Sequence, residues 1–192
     1  MEEWEVQHRI RAVLRGEPER FTPIVEDFTP ALFNFAAKMA GRRDDAGEIV
    51  QETFFRAYRD LAKFDGRTRF LSWLFGICAN ICYDHGKKRR RQSRTVPVDS
   101  VREDALSDPA SPASDRIMAG QDERRLLECL SGLPVALRAA VLLRYHEDMT
   151  LAEVALRLRI GLSAAKMRIH RGLDLLRACM ERAGGEVEEA KV

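Results

Sequence analysis

The sequence predicts an all-α protein made of two small helical domains joined by a flexible acidic linker. Three observations lead there. Apolar residues recur at helical spacing along nearly the whole chain, no segment shows convincing strand alternation, and the periodicity fails between Thr95 and Gly120, a stretch rich in Pro, Ser, Ala and Asp. The 192 residues, 45% hydrophobic, suffice for two compact cores. Lys and Arg number 32 against 30 Asp and Glu, so the position of each sign along the chain matters more than the net charge of +2.

The first domain, residues 1–94, opens with apolar positions Val6, Ile10, Val13 and Leu14. Phe21, Ile24, Val25 and Phe28 follow, then Leu32, Phe35, Ala36 and Met39. Gly16 with Pro18, Pro30, Gly41 and Gly66 are expected to break these segments into separate helices. Asp45 to Glu48 has the form of a helix cap. Beyond it, Val50, Phe54, Ala57, Tyr58, Leu61 and Phe64 form a stripe to be buried, and Glu48, Gln51, Glu52, Arg56 and Arg59 form an outer face. By composition that outer face is an ordinary solvated one.

In FLSWLFGICANICYDHGKKRRRQSR, residues 70–94, the ladder Phe70, Trp73, Leu74, Ile77 and Ile81 anchors a further helix, with Asn80, Asp84 and Lys87 on another side. Lys87, Lys88, Arg89, Arg90, Arg91 and Arg94 then place six positive charges in eight residues. A cationic run at a helix C-terminus suits the dipole and offers phosphate contacts; a solubilising end or a membrane-surface contact is the plainer alternative. The nearby aromatics Phe64, Phe70 and Trp73 favour nucleic acid, since stacking on unpaired bases complements phosphate binding, although a Trp at this spacing also suits a core.

The linker, residues 95–120, carries five acidic and two basic side chains. Its 26 residues reach about 85 Å fully extended but average about 25–30 Å as a flexible coil. The second domain, residues 121–183, resumes with Leu126, Leu127 and Leu130, breaks at LSGLP, and continues from Val135 to Tyr145. Thr150 to Glu153 reads as a capping box opening a helix with Leu151, Val154, Ala155 and Leu158 on one face. Gly161 offers a left-handed C-cap and Ser163 a cap for the next helix. On that next helix Ala165, Ile169, Leu173 and Leu176 share a face, whereas Lys166, Met167, His170 and Arg171 project from the other. A helix held by its partner and presenting Arg, Lys and His suits a DNA major groove; an ordinary antiparallel pair with a solvated face is the alternative. GGEVEEAKV, residues 184–192, reads as a frayed acidic tail.

No apolar run approaches the ~20 residues needed to span a bilayer. The start, MEEWEVQHRIR, is acidic and polar where a signal peptide is basic and then greasy. The expectation is a cytoplasmic protein with no direct membrane insertion. The four cysteines lack regular spacing and lie in helical patterns, which predicts reduced thiols, with Cys129 and Cys179 in the core. Cys78, Cys82 and His85 are spaced so that a helix could offer them to a metal, as in a metal or redox sensor; small buried residues plus a surface His explain the same spacing. Neither a Gly-rich phosphate loop nor an activated-nucleophile pattern occurs, so an enzyme is not expected.

These segments, in this order, resemble the extracytoplasmic-function (ECF) group of bacterial sigma factors in the sigma-70 family, over about residues 9–180. DDAGEIVQETFFRAYRDLAKFDG resembles the region 2 helix that docks on the RNA polymerase clamp. FLSWLFGICANICYDHGKKRRR resembles the helix that recognises and opens the −10 element. MTLAEVALRLRIGLSAAKMRIHRGLDLLR resembles the region 4 reader of the −35 element. The resemblance implies clamp contacts at Glu48, Ile49, Gln51 and Glu52. It implies handling of the non-template strand by Asn80, Asp84 and Lys88 with the loop Phe64, Asp65, Gly66 and Arg67, and −35 contacts by Lys166, Met167, His170 and Arg171. Core RNA polymerase, promoter DNA and an anti-sigma factor are the implied partners; no catalytic residue, metal or cofactor is implied. Two departures stand out: Gly47 replaces a usual acidic residue, and SAAKM replaces the common Gly-Thr-Val-Lys-Ser. An autonomous helix-turn-helix repressor would account for residues 150–177 alone.

Overall fold

The structure, a computed structural model, describes residues 1–40, 44–93 and 115–189, and the side chains within them except at 44, 87–93, 115–120 and 183–189. All regular structure among the described residues is helical. The helices are α1 (Glu3–Leu14), α2 (Thr22–Ala40), α3 (Asp44–Arg59), α4 (Phe70–Ser93), α5 (Asp115–Gly132), α6 (Val135–Tyr145), α7 (Leu151–Arg157) and α8 (Leu162–Glu189), with short 3₁₀ turns at Pro18–Phe21 and Leu61–Lys63.

α1 to α4 form the first bundle. α1 ends where the residues allow it to: Gly16 takes φ +104°, the Gly16 N–H donates to Val13 O, and the Glu17 N–H donates to Ala12 O. This is a Schellman ending with glycine at its left-handed position. α2 runs through Pro30 without breaking, contrary to expectation. Proline inside a helix costs about 3 kcal/mol. Ile24, Phe28, Leu32 and Phe35 around it are buried, and apolar burial at about 1.5–3 kcal/mol per side chain exceeds that penalty. The Glu3 carboxylate accepts from the Phe70 N–H at 3.1 Å, so α1 supplies the anion that the start of α4 favours. The buried stripe of α3 holds at Val50, Phe54 and Ala57, but Tyr58 is 45% exposed, its ring set edge-on against Phe21 at 5.2 Å.

α5 to α8 form the second bundle. α6 has the bounds that the sequence predicts. α5 begins at Asp115, so the last residues assigned to the linker are helical, and α8 extends through Glu189 where a frayed tail was expected. Residues 95–114 lie outside the described residues. Cys129 on α5 and Cys179 on α8 are joined in a disulfide with a Cα–Cα distance of 5.8 Å, which corrects the reading of both as core thiols. The helices bring the two side chains together across 50 residues, a proximity that spacing along the chain does not reveal. Cys78 and Cys82 are the free, buried pair. The Cys82 thiol is pushed far up by its hydrogen bond with Cys78 and by burial.

The two bundles pack on each other. α2 meets α5 and α6, α4 meets α6 and α7, and one apolar cluster runs from Val6 through Leu74 and Cys78 to Leu142 and Ile169. Arg138, 5% exposed, reaches from α6 to donate to Met39 O at 2.7 Å, and it also donates to Leu133 O at 3.0 Å and to Ser131 O. Its partners are backbone carbonyls, including those at the C-terminal end of α5, which the helix leaves without acceptor satisfaction. Burial pulls its guanidinium below its ordinary pKa.

Candidate nucleic-acid and polymerase interface

The short helix α7 starts as predicted. Thr150 Oγ1 accepts from the Glu153 N–H at 3.3 Å, and the Glu153 carboxylate accepts from the Thr150 N–H at 2.8 Å. The Thr150 hydroxyl also donates to that carboxylate at 2.8 Å, and the two bonds from Thr150, backbone first and then hydroxyl, hold the Glu153 carboxyl below the usual range. The far end differs from expectation. Arg159, not Gly161, takes the left-handed conformation (φ +54°), with the Arg159 N–H donating to Leu156 O and the Ile160 N–H to Ala155 O. This is the same Schellman geometry as at Gly16, built on an arginine. α8 then begins at Leu162, which puts Ser163 inside its first turn instead of at its cap.

Close packing fixes the rotation of α8. Ala165 and Ile169 are buried and Leu173 and Leu176 pack on the core. At Gly172 a Cβ would lie 2.5 Å from Val141 Cγ2, so glycine lets α8 approach α6. Lys166, Met167, His170 and Arg171 are therefore driven outward together, all four exposed. They form a basic strip with an apolar member, Met167, 59% exposed.

On the first bundle, Glu48 and Gln51 are exposed on α3. Glu52 is half-buried between Arg56 Nη2 at 2.5 Å and His85 Nε2 at 3.3 Å. Burial works to raise its pKa, yet the bonds from Arg56 and His85 outweigh it and leave the carboxyl below its usual range. Ile49 departs from the expected clamp contact: it is 1% exposed and belongs to the core, because its position on α3 faces α2 and α4. Phe55 is the large apolar side chain that α3 exposes on this face. It is 67% exposed, one turn beyond Gln51 and Glu52. The helical spacing carries this signal, since Phe55 follows Gln51 by four residues and Glu52 by three.

The expected strand-handling residues are spread along α4 and the loop before it, with Asn80, Asp84 and Lys88 about 15, 21 and 27 Å along the helix axis from its start at Phe70. Phe64 is half-buried against Phe70 (5.1 Å) and Trp73 (5.5 Å), an aromatic cluster in which Trp73 also packs on Phe70 (5.4 Å). Asp65 accepts from the Arg67 N–H at 3.0 Å, and Gly66 turns at φ +69°, so the loop presents Asp65 and Arg67 to solvent. Asp84 is exposed, 3.9 Å from Arg56 Nη1. Lys88 lies within α4, but its side chain is outside those described. Asn80 donates to Gly76 O at 2.8 Å and, across the bundles, to Arg157 O at 3.2 Å. A polar cleft lined by Arg56, Arg59, Asp60, Ile77, Asn80 and Asp84 is bordered on its other side by Arg159. His85 bonds Glu52, and no cluster of three potential metal ligands occurs among the described residues.

Residues 24–92 match the family Sigma-70 region 2, and residues 123–176 match Sigma-70, region 4. The chain belongs to the sigma-70 family. Several of its relatives are named as ECF factors. RNA polymerase sigma factor CarQ of Myxococcus xanthus is 31% identical over 173 residues, covering 90% of this chain and 94% of its own. ECF RNA polymerase sigma factor SigW of Bacillus subtilis is 26% identical over 178 residues, covering 90% and 95%. Among solved structures, the sigma factor RpoE in complex with the anti-sigma factor NepR from Bartonella quintana shares the fold at a TM-score of 0.65 and 24% identity, over 84% of this chain and 96% of that one. CnrH in complex with the cytosolic domain of CnrY does so at 0.62 and 23% identity, over 91% and 96%. Region 2 of this sigma factor thus holds the α3 and α4 sites, and region 4 holds the α8 strip. No helix among the described residues is long and apolar enough to cross a membrane.

Proposed function

We propose that this chain is an alternative sigma factor that binds core RNA polymerase through the exposed face of α3, directs it to promoters by reading −10 and −35 elements, and promotes melting of the DNA at the −10 element. The observation that carries the reading is the outward strip Lys166, Met167, His170 and Arg171 on a helix positioned by a capped helix-turn-helix, in one chain with region 2. Arg171 and Lys166 supply donors for guanine O6 and N7. The basic run at the end of α4 supplies phosphate contacts, and the cluster Phe64, Phe70 and Trp73 borders the place where an unpaired base would stack. Glu48, Gln51 and Glu52, with Phe55 as an apolar centre, form the polymerase surface.

The chain acts where polymerase acts, in the cytoplasm, and the polymerase performs the chemistry. Control falls to an anti-sigma factor that covers the polymerase-binding surfaces; the complex of the similarly folded RpoE with the anti-sigma factor NepR supports this reading. Size-exclusion binding to core RNA polymerase tests the docking surface. The wild-type chain should co-elute, and Glu48→Lys with Phe55→Ala should release it while leaving its helical circular dichroism intact. Undiminished co-elution of the double variant would remove α3 from the interface.

A further inference from the structure

Among the described residues the most exposed large apolar side chain is Trp4 on α1, at 73%. It has company at helical spacing. Trp4, His8, Arg11 and Arg15 follow one another by four, three and four residues, so they share one stripe, and all four are exposed. The stripe continues past Leu14 because the Arg15 N–H still donates to Arg11 O at 3.2 Å. From Trp4 to Arg15 it is about 16 Å long at the helical rise. The acidic residues of α1 stand on other sides of the helix, Glu3 bonded to the Phe70 N–H and Glu5 to Arg9 at 2.8 Å. Glu17, in the turn that follows, comes within 3.9 Å of Arg15. Cations at the end of a helix favour its dipole, which accounts for Arg11 and Arg15 but gives the exposed indole no purpose. A lone exposed aromatic is ordinary. An indole in register with cations is the pairing that holds single-stranded nucleic acid, a ring for the base and charge for the phosphates.

The stripe lies beside the loop that the proposed function gives to the melted strand. Glu3 caps the start of α4, and Gln7 sits over the loop, where a Cβ at Gly66 would stand 3.7 Å from Gln7 Nε2. Trp4 and His8 are each one residue further on, about 100° round the helix, on the exposed side of that contact. α4 gives the direction. Its far end carries the basic run proposed to meet phosphates and its near end carries the loop Phe64 to Arg67, so a strand that passes the loop leaves α4 and reaches α1 next. We infer that the outer stripe of α1 is a second single-strand site, in which Trp4 stacks on an unpaired base of the non-template strand beyond the −10 element while Arg11 and Arg15 hold its phosphates. The inference rests on the proposed role of the loop before α4 and extends it from the −10 element toward the start site.

The test uses holoenzyme assembled from the full chain and core RNA polymerase, on a promoter located by mapping its transcript starts. The readout is the half-life of open complexes after a heparin challenge. Because Trp4 is exposed, Trp4→Ala should keep the helical circular dichroism of the chain. It should shorten the half-life about tenfold, equivalent to about 1.4 kcal/mol, the size of one lost base stack. Trp4→Phe, which keeps a ring, should restore most of it. Arg11→Ala with Arg15→Ala should also shorten the half-life and flatten its salt dependence. An abasic site, placed in turn at each non-template position between the −10 element and the start site, identifies the partner. One position should weaken the wild-type complex about tenfold and leave the Trp4→Ala complex unaffected. A Trp4→Ala complex as long-lived as wild type overturns the inference. So does a loss that no abasic site reproduces, which would assign the stripe to a polymerase surface. If the wild-type chain forms no open complex, the sigma-factor reading itself fails and the inference falls with it.

Discussion

Removing the Cys129–Cys179 bond should loosen region 4 without disturbing region 2. The bridge closes a loop of 50 residues that contains all of α6 and α7 and the recognition strip of α8. The chain-entropy relation for a loop of that length gives about 4 kcal/mol at 25 °C, an upper figure, since residual order in the reduced unfolded chain lowers it. The assay is urea denaturation followed by circular dichroism, with and without a phosphine reductant, and with the paired substitution Cys129→Ala and Cys179→Ala as a control. The midpoint should fall on reduction, and the paired variant should match the reduced protein and ignore reductant. Thiol titration in denaturant gives an independent count: two reactive thiols before reduction, from Cys78 and Cys82, and four after. Four thiols in the unreduced protein, or a midpoint indifferent to reductant, would refute the reasoning.

Arg171→Ala should cost about 1–3 kcal/mol of promoter binding and relax preference at one base of the −35 element, which competition binding against single-base variants of that element would reveal. Arg159→Gly should stabilise the chain by about 1 kcal/mol in urea denaturation, because the left-handed conformation that Arg159 holds is strained for any residue with a Cβ. The Glu147 carboxyl is pushed up to about 7, chiefly by burial and also by Asp148, against the opposing charges of Lys38 and Arg69. Its folded value lies above the unfolded 4.5, so its contribution to stability is full below that value and is lost as pH rises through about 7. Neighbouring His146, lowered by burial and by Lys38, works in the opposite sense. The difference in unfolding free energy between wild type and Glu147→Gln, measured from pH 4.5 to 7.5, should therefore decline as pH rises.

Where a signal was local, the sequence made it readable. Thr150 and Glu153 satisfy each other within one turn, and the 3.6-residue spacing of Ala165 and Ile169 decides which way Lys166 and Arg171 point. Misreadings arose where a distant neighbour overruled the local rule. Pro30 stays helical because burial on both sides exceeds its penalty. The turn after α7 repeats the hydrogen bonds of the turn after α1, but with Arg159 where Gly16 stands, so Gly161 drew the reading two residues too far. Ile49 sits next to exposed Glu48, yet one step round the helix takes it into the core. The disulfide and the bonds of Arg157 with Asn80 and Thr68 are illegible in the sequence for a simpler reason. Each joins residues far apart in the chain, and no periodicity encodes which distant partner a side chain will meet.

If the chain acts as proposed, it gives RNA polymerase a promoter preference through regions 2 and 4 together. Mapping transcript 5′ ends, after adding the chain to core RNA polymerase on genomic DNA fragments, tests it most directly. Discrete new start sites that share two upstream elements should appear, with Arg171→Ala changing only the distal one. A competent core polymerase from the source organism that yields no new starts with the chain present would contradict it.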